Sequence, residues 1–319
     1  MSAHSAIEER ALGRSEVMTP RIHLGCGNFG VIGSAHAFFG GGLDEPSAFA
    51  VMDAAWEIGI GHFDTADAYG GGRSETIIGN WMRSRGHRPQ LTTKTYNPME
   101  PGADHGLAPE RIVRQLDGSL RRLGVDHVDL YLTHEHDPDV PAAEVVDALE
   151  RLRGEGRVRA IGLSNYDAAQ LRATLAAGHV DALQNSYSLL VRDDEQGVMP
   201  LCDRERLSYC VYSPLAGGWL TGKYRRGESF PEGSRMTQRP EGYVSFQQDA
   251  IFDALEALEA RAADAGISMA GLALAWLLAS PHVTSIVVGP MRPEHLEPVR
   301  EALAHPLDAS MSAEIGALF

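Results

Sequence analysis

Cysteine is scarce in this chain: there are three, Cys26, Cys202 and Cys210, and no C-x-x-C pair. That odd count and spacing exclude a disulfide framework and a zinc ribbon, and they fit a reducing cytoplasm. Basic residues are also few, 28 Lys and Arg against 43 Asp and Glu, for a net charge of -15. Nucleic acid and anionic membranes attract basic surfaces, so neither is expected as a partner. Long apolar runs are missing too. The longest, MAGLALAWLLA at 269–279, stops at Ser280-Pro281, short of a bilayer span. The opening MSAHSAIEERALGRSEVMTP is charged and lacks the apolar stretch of a secretory leader. A soluble, cytoplasmic protein is the expectation.

What is present is enough for a large core. The chain has 319 residues, 44% hydrophobic and 22% charged, which suits one large α/β domain or two ordinary ones. Short β-rich runs recur: RIHLGCG (21–27), GHFDT (61–65), QLTTKT (90–95), VDLYLTH (128–134), VRAIGLSN (158–165), ALQNSY (182–187), SYCVYSP (208–214) and TSIVVG (284–289). Each closes on a polar, Gly or Pro residue, as a buried strand entering a loop does. Between them lie amphipathic segments. PERIVRQLDGSLRRLG (109–124) sets Ile112, Leu116, Leu120 and Leu123 on one stripe, arginines opposite, and Gly124 at the stop. AAEVVDALERLRGEG (142–156) repeats the design with Val145, Val146, Leu149 and Leu152, and DEPSAFAVMDAAWEIG (44–59) starts with acids and a proline.

Strands alternating with helices, and no dividing linker, predict a single (β/α)8 TIM barrel over residues 1–319. A doubly wound sheet is the rival. GCGNFGVIG after the first strand does match G-x-G-x-x-G, but the following VIGSAHAFFGGG is too broken by glycine to open a helix. Two connections exceed what a link needs, 96–107 and 222–248. Long loops after barrel strands lie over the active-site face, so both are candidate active-site loops.

On a barrel the C-terminal strand ends share one cleft. Asp64, Lys94 and His134 fall at the ends of the second, third and fourth strands, and Tyr69 follows Asp64 in HFDTADAYGGG. Strands about 4.8 Å apart let these four converge. A free phenol has a pKa of about 10, too high for efficient proton donation near neutrality. Lys94 is expected to lower it, Asp64 to hold the lysine, and His134 to hydrogen-bond the reacting oxygen. Taken singly each residue has an ordinary structural explanation. Their joint appearance on successive strand ends favours chemistry.

FDTADAYGGGRSETIIG, TTKT, VDLYLTHEHD, IGLSNY, QNSYSLL and YSPLAGGWLTGKY, in that order, resemble the motif series of the aldo-keto reductase family from about Leu12 to Ala304. The resemblance implies an eight-stranded barrel that binds a nicotinamide cofactor without a Rossmann domain. It implies that Asp64, Tyr69, Lys94 and His134 are catalytic, Tyr69 being the general acid that protonates an aldehyde or ketone oxygen as hydride reaches the carbon. It implies further that Ser164, Asn165 and Gln184 hold the carboxamide and that Tyr187 stacks on the nicotinamide. Ser213, Leu215, Gly217 and Lys223 would fold over the pyrophosphate. In VVGPMRPEHLEPVREAL (287–303), Gly289 is in place and Arg292 stands where a basic residue can face a 2′-phosphate, so NADPH is expected over NADH. His295 and Val299 replace the usual glutamine and asparagine.

Two other readings bear on the same residues. His134 and His136 form an H-x-H pair, as in metal-dependent barrel hydrolases, but the later strand ends offer Ser164, Asn165, Gln184, Ser213 and Gly289, none a good zinc ligand, so no metal is expected. The barrel also resembles the cytoplasmic β subunit of voltage-gated potassium channels, which makes a cofactor-binding regulatory subunit the alternative to an enzyme. Phe29, Phe38 and Trp219 are expected to line the pocket of a small carbonyl substrate.

Overall fold

The computed structural model describes residues 7–32 and 41–319. Two three-residue strands, β1 (Glu9–Ala11) and β2 (Met18–Pro20), form an antiparallel hairpin. Eight parallel strands then close a barrel in sequence order: β3 (Ile22–Gly25), β4 (His62–Asp64), β5 (Gln90–Thr95), β6 (Val128–Thr133), β7 (Val158–Ser164), β8 (Ala182–Ser186), β9 (Ser208–Tyr212) and β10 (Val283–Val288), which pairs back to β3. The expected strands fall where the β-rich runs lie, within one or two residues at their ends.

Helices follow the strands. They are α1 (Glu45–Glu57), α2 (Arg73–Arg85), α3 (Pro109–Leu123), α4 (Ala142–Gly154), α5 (Ala168–Ala177) and α6 (Val198–Glu205). After β9 come the short α7 (Arg235–Gln238), then α8 (Asp249–Ala265) and α9 (Met269–Ala279); α10 (Glu297–Ala304) and α11 (Ala309–Gly316) follow β10. Local chemistry sets their limits. Asp44 caps α1 by accepting from the Ser47 N–H, and α3 ends at Gly124, whose φ of +73° an L side chain resists. In α3 the residues Ile112, Leu116 and Leu123 are buried, as the stripe predicts, while Leu120 is half-buried. The apolar run 269–279 is α9, nearly all buried against its neighbours. Among the described residues no single helix is long and apolar enough to cross a membrane.

Strand parity divides the core. One set of alternate residues faces outward onto the helices; the other fills the barrel, where Leu130, Leu132, Ala160, Ala182 and Cys210 cluster with Leu12 and Val17 of the hairpin. The hairpin therefore plugs the N-terminal mouth of the barrel. Burying Leu12 completely stabilises the plug by about 1.5–3 kcal/mol. Above the plug, His23 and His62 stack at 3.8 Å with Thr19 Oγ1 bonded to both rings. With one mouth filled, the open end is the C-terminal one.

Candidate active site

Asp64 and Lys94 are the last inward-facing residues of β4 and β5. Lys94 Nζ donates to Asp64 Oδ1 and, at 2.9 Å, to the Thr65 carbonyl. Both side chains are almost wholly buried, so the pair survives only because each charge meets the other and further polar groups. Gln184 on β8 supplies one of these, its Nε2 donating to Asp64 Oδ2 at 2.8 Å.

Tyr69 begins a tight turn, Tyr69–Gly72, that delivers it to this pair. Gly70, Gly71 and Gly72 all have φ between +57° and +87°, a run of left-handed backbone that glycine adopts without strain. The phenol ring lies with its centroid 5.2 Å from Lys94 Nζ, and its hydroxyl is 3.4 Å from His134 Nε2. His134, just past β6, meets the Tyr69 ring edge-on at 5.4 Å. The four residues that the sequence singled out thus converge at the C-terminal mouth.

The electrostatics differ from expectation in one respect. Burial pushes the Tyr69 phenol above its ordinary value; Lys94 pulls it back, but Asp64 offsets the lysine, and the net shift is upward. Lys94 lowers the phenol's pKa only relative to what burial alone would set. The phenol is therefore held protonated, with the Lys94 cation beside its ring. For Lys94, burial works against the charge, but Asp64 and Tyr69 outweigh it and raise its pKa. Burial and then Lys94 bring His134 down to about 3, so its ring is neutral.

The next strand ends carry amide groups. Asn165, beyond β7, sits at φ +62° and gives its Nδ2 to the His134 carbonyl (2.9 Å) and the Glu135 carboxylate (3.3 Å). Its Oδ1 accepts from the Tyr212 hydroxyl at 2.6 Å. Ser164 lies 3.3 Å from Asn165 Nδ2, so Ser164, Asn165 and Gln184 are gathered along one wall. Past β9 the backbone coils through positive φ at Ser213, Ala216, Gly217 and Gly218. The two non-glycine residues there cost of order 1–3 kcal/mol each, a strain that collects at ligand-binding turns. Leu215 is half-buried within this turn.

Groups able to hold a dinucleotide lie on that turn and on the turn after β10. A Cβ on Gly218 would fall 2.3 Å from Lys223 Nζ, so the lysine lies directly across this glycine. Arg292 is largely exposed at the turn after β10, and Gly289 has open space where a side chain would stand. His295 is held below the ordinary histidine value by burial and then by the cations Arg292 and Lys223, against the opposing charge of Glu294, which also pairs with Arg292 at 3.8 Å. Asn28 leaves its buried Oδ1 without a partner while its amide donates to the Pro290 carbonyl. Amide and hydroxyl groups along one wall, a strained glycine turn and the cations Lys223 and Arg292 on the turns after β9 and β10 are groups that a nicotinamide dinucleotide could use.

Three expected positions need correction. Tyr187 does not face the cleft: it has the outward parity of Leu183 and Asn185, stacks on Trp276 at 5.5 Å, and donates its hydroxyl to Glu195. The aromatic ring that does face the cleft is Tyr212, which shares the inward parity of Cys210. Period-two alternation along β8 and β9 carries the signal that distinguishes them. Trp219 is wholly buried among Tyr224, Phe230, Phe246 and Phe252, where it anchors the 222–248 segment and presents no surface to a substrate. Phe29 is likewise fully buried. Phe38 lies outside the described residues.

The two long loops differ in how they are held. The 222–248 segment rests Tyr243 directly against Gly217, whose Cβ would meet that ring at 2.4 Å. The 96–107 loop is pinned from beneath by Arg111. This arginine belongs to the polar face of α3 in the sequence, yet it is buried, donating to the carbonyls of Asn97, Asp104 and Gly106. His136 packs on Tyr166, away from His134.

Residues 24–318 match the model of the aldo/keto reductase family. The protein of Schizosaccharomyces pombe named aldo-keto reductase yakc, NADP(+), is 32% identical over 92% of this chain and 85% of its own length. The NADH-specific methylglyoxal reductase of Escherichia coli is 33% identical over 92% of this chain and 91% of its own. A probable voltage-gated potassium channel subunit beta of Oryza sativa is 32% identical over 89% and 87%. The solved glycerol dehydrogenase AKR11B4 from Gluconobacter oxydans superposes with a TM-score of 0.83 at 24% identity, covering 100% of this chain and 95% of that one, which shows the shared fold. A closed barrel, a converged Asp64–Tyr69–Lys94–His134 site and a family match over nearly the whole length agree: this chain belongs to the aldo/keto reductase family and is an oxidoreductase.

Proposed function

We propose that the protein reduces an aldehyde or ketone to the alcohol, with NADPH preferred and Tyr69 as the general acid. The observation that carries this reading is the neutral Tyr69 phenol set between the buried Lys94–Asp64 pair and the neutral His134 ring. The cofactor, when bound, supplies the hydride. The chain's own residues handle the proton. As negative charge grows on the carbonyl oxygen, Tyr69 Oη donates its proton there, and Lys94 stabilises the phenolate left behind. Asp64 keeps Lys94 charged and aimed, and Gln184 in turn fixes Asp64. Burial around the site strengthens each of these interactions by excluding water.

Ser164, Asn165 and Gln184 would hold the carboxamide, and Tyr212 would offer its ring to the nicotinamide in place of Tyr187. Lys223 and Arg292 would meet phosphate groups, with His295 beside them, and Arg292 would favour a 2′-phosphate. Relatives of both cofactor habits exist by name, so the preference rests on Arg292. The four intact cleft residues support turnover over a purely regulatory role. Oxidation of NADPH and NADH, followed with a panel of aldehydes, ketones and hydroxylated carbonyls, tests the proposal. The expected result is turnover with NADPH favoured, and a loss of that preference in Arg292→Ala. Tight binding of cofactor with no turnover on any carbonyl would favour the regulatory alternative.

A further inference from the structure

We infer that Asn97 is a positioning residue: its side-chain amide holds the proton of His134 on Nε2, and Arg111 holds Asn97 in place to do so. The inference rests on reading His134 as a donor at the reacting oxygen, and it adds what decides which ring nitrogen can donate.

A neutral imidazole carries one N–H, and its hydrogen-bond partners choose where. His134 is flanked on both sides. Asn97 Nδ2 lies 3.3 Å from Nδ1, and the Tyr69 hydroxyl lies 3.4 Å from Nε2. An amide N–H donating to Nδ1 makes that nitrogen the acceptor and leaves the proton on Nε2, directed at the Tyr69 oxygen and the space where a carbonyl oxygen would sit. The opposite tautomer would turn a lone pair toward that oxygen, which repels the charge developing there. Lys94 is the charged group that acts on the ring among the described residues, and its ammonium donates to Asp64 and the Thr65 carbonyl.

Asn97 is half-exposed and lies near the start of a long loop, so by itself it would be a weak anchor. Arg111 removes that freedom. Its Nη2 donates to the Asn97 carbonyl at 2.8 Å and the Asp104 carbonyl at 3.2 Å, and its Nη1 donates to the Gly106 carbonyl and to Thr95 Oγ1, both at 3.0 Å. Thr95 Oγ1 donates to Asp67 Oδ2 at 2.7 Å, and the Asp67 N–H bonds the Lys94 carbonyl at 3.0 Å. One buried guanidinium thus ties the loop bearing Asn97 to the segment bearing Tyr69, fixing both neighbours of the His134 ring in one frame. A planar five-donor fork suits this task; lysine cannot reach the same four acceptors.

Long-range proton–nitrogen correlation spectra of the 15N-labelled full-length protein report the tautomer directly, with His134→Gln identifying the signals. The wild type is expected to show a pyrrole-type Nε2 and a pyridine-type Nδ1. In Asn97→Leu, which removes the donor at a partly exposed position, that contrast should collapse. Its kcat should fall roughly 10- to 100-fold, no more than the lower limit of the ~10²–10⁴ that a positioned proton-bearing group contributes, because the ring itself stays in place, with cofactor affinity unchanged. Arg111→Lys should move the nitrogen signals the same way. The proposal is overturned if the wild-type proton sits on Nδ1, or if Asn97→Leu leaves the His134 spectrum as it was. The spectra need no turnover, so they stand or fall independently of whether the protein reduces a carbonyl.

Discussion

Lys94 and Asp64 face each other across neighbouring barrel strands, and Gln184, from the far side of the barrel, takes the second oxygen of the same carboxylate. A buried ion pair tied to a third strand is a costly arrangement to keep for folding alone, since isosteric apolar residues often serve stability as well or better. Its position beneath Tyr69 accounts for its presence: the cation is available where a phenolate would form, and the carboxylate prevents the lysine from shedding its proton.

Removing one partner should therefore cost stability as well as turnover. Lys94→Met leaves Asp64 buried and uncompensated, for a loss of about 3–5 kcal/mol. The same change removes the cation that stabilises the phenolate. Urea denaturation together with a carbonyl-reduction assay checks both effects. Unchanged stability would contradict the buried, mutually dependent pair.

The exchange of roles between Tyr187 and Tyr212 is testable by affinity. Tyr212→Ala is expected to weaken cofactor binding by the loss of an aromatic stacking contact, about 0.5–1.5 kcal/mol or roughly 2- to 12-fold. Tyr187→Phe, which loses only the bond to Glu195 on the outer face, should leave affinity unchanged. Fluorescence titration with NADPH and NADP+ distinguishes them.

Part of the acid sensitivity should originate at the closed end of the barrel, beside a contribution of the same sign from the neutral His134 ring at the open end. Burial holds His23 down to about 3 and His62 well below the ordinary value, while in the unfolded chain both take up protons near pH 6.5. Between those values the unfolded state binds more protons, so stability is fully present above about pH 6.5 and declines toward pH 3. The slope contributed is up to ~1.4 kcal/mol per pH unit for each ring. Asp67 acts in the opposite sense. Burial, and then Glu75, raise it to about 7, so the folded state holds its proton longer and that contribution fades as pH rises through about 4 to 7. Comparing wild type with His23→Gln isolates the histidine effect: the wild type should lose ground to the variant as pH falls from 7 to 4. Parallel stability curves would contradict it.

Much of this was legible in the sequence, and the parts that were not share a physical cause. Strand ends such as Asp64, Lys94 and His134 announce themselves because a polar residue closing a buried apolar run has few structural reasons to be there. Glycine-rich turns at Gly70–Gly72 and Gly217–Gly218 are equally visible, since few other residues accept positive φ. The β1–β2 hairpin was not, because three-residue strands contain too little alternation to register a period. The helical pattern assigns Arg111 to the polar face of α3, yet a guanidinium can be buried when carbonyls surround it, and those carbonyls belong to a loop whose path no local pattern dictates. Trp219 is not recognisable as buried from its own glycine-rich stretch, because the rings that cover it, Phe246 and Phe252, come from chain about 30 residues further on. Tyr187 and Tyr212 are separable by strand parity, a signal present in the sequence, whereas the motif resemblance alone implies Tyr187.

The central claim is that Tyr69 delivers the proton. Tyr69→Phe keeps the ring, its packing against Gly27 and its edge contact with His134, and deletes only the hydroxyl. Single-turnover reduction of a carbonyl by this variant, measured beside its NADPH affinity by fluorescence titration, tests the claim most directly. Loss of roughly 10²–10⁴ in rate, the range for a positioned general acid, with affinity nearly unchanged is the result expected. A variant that reduces the carbonyl at close to the wild-type rate would contradict it.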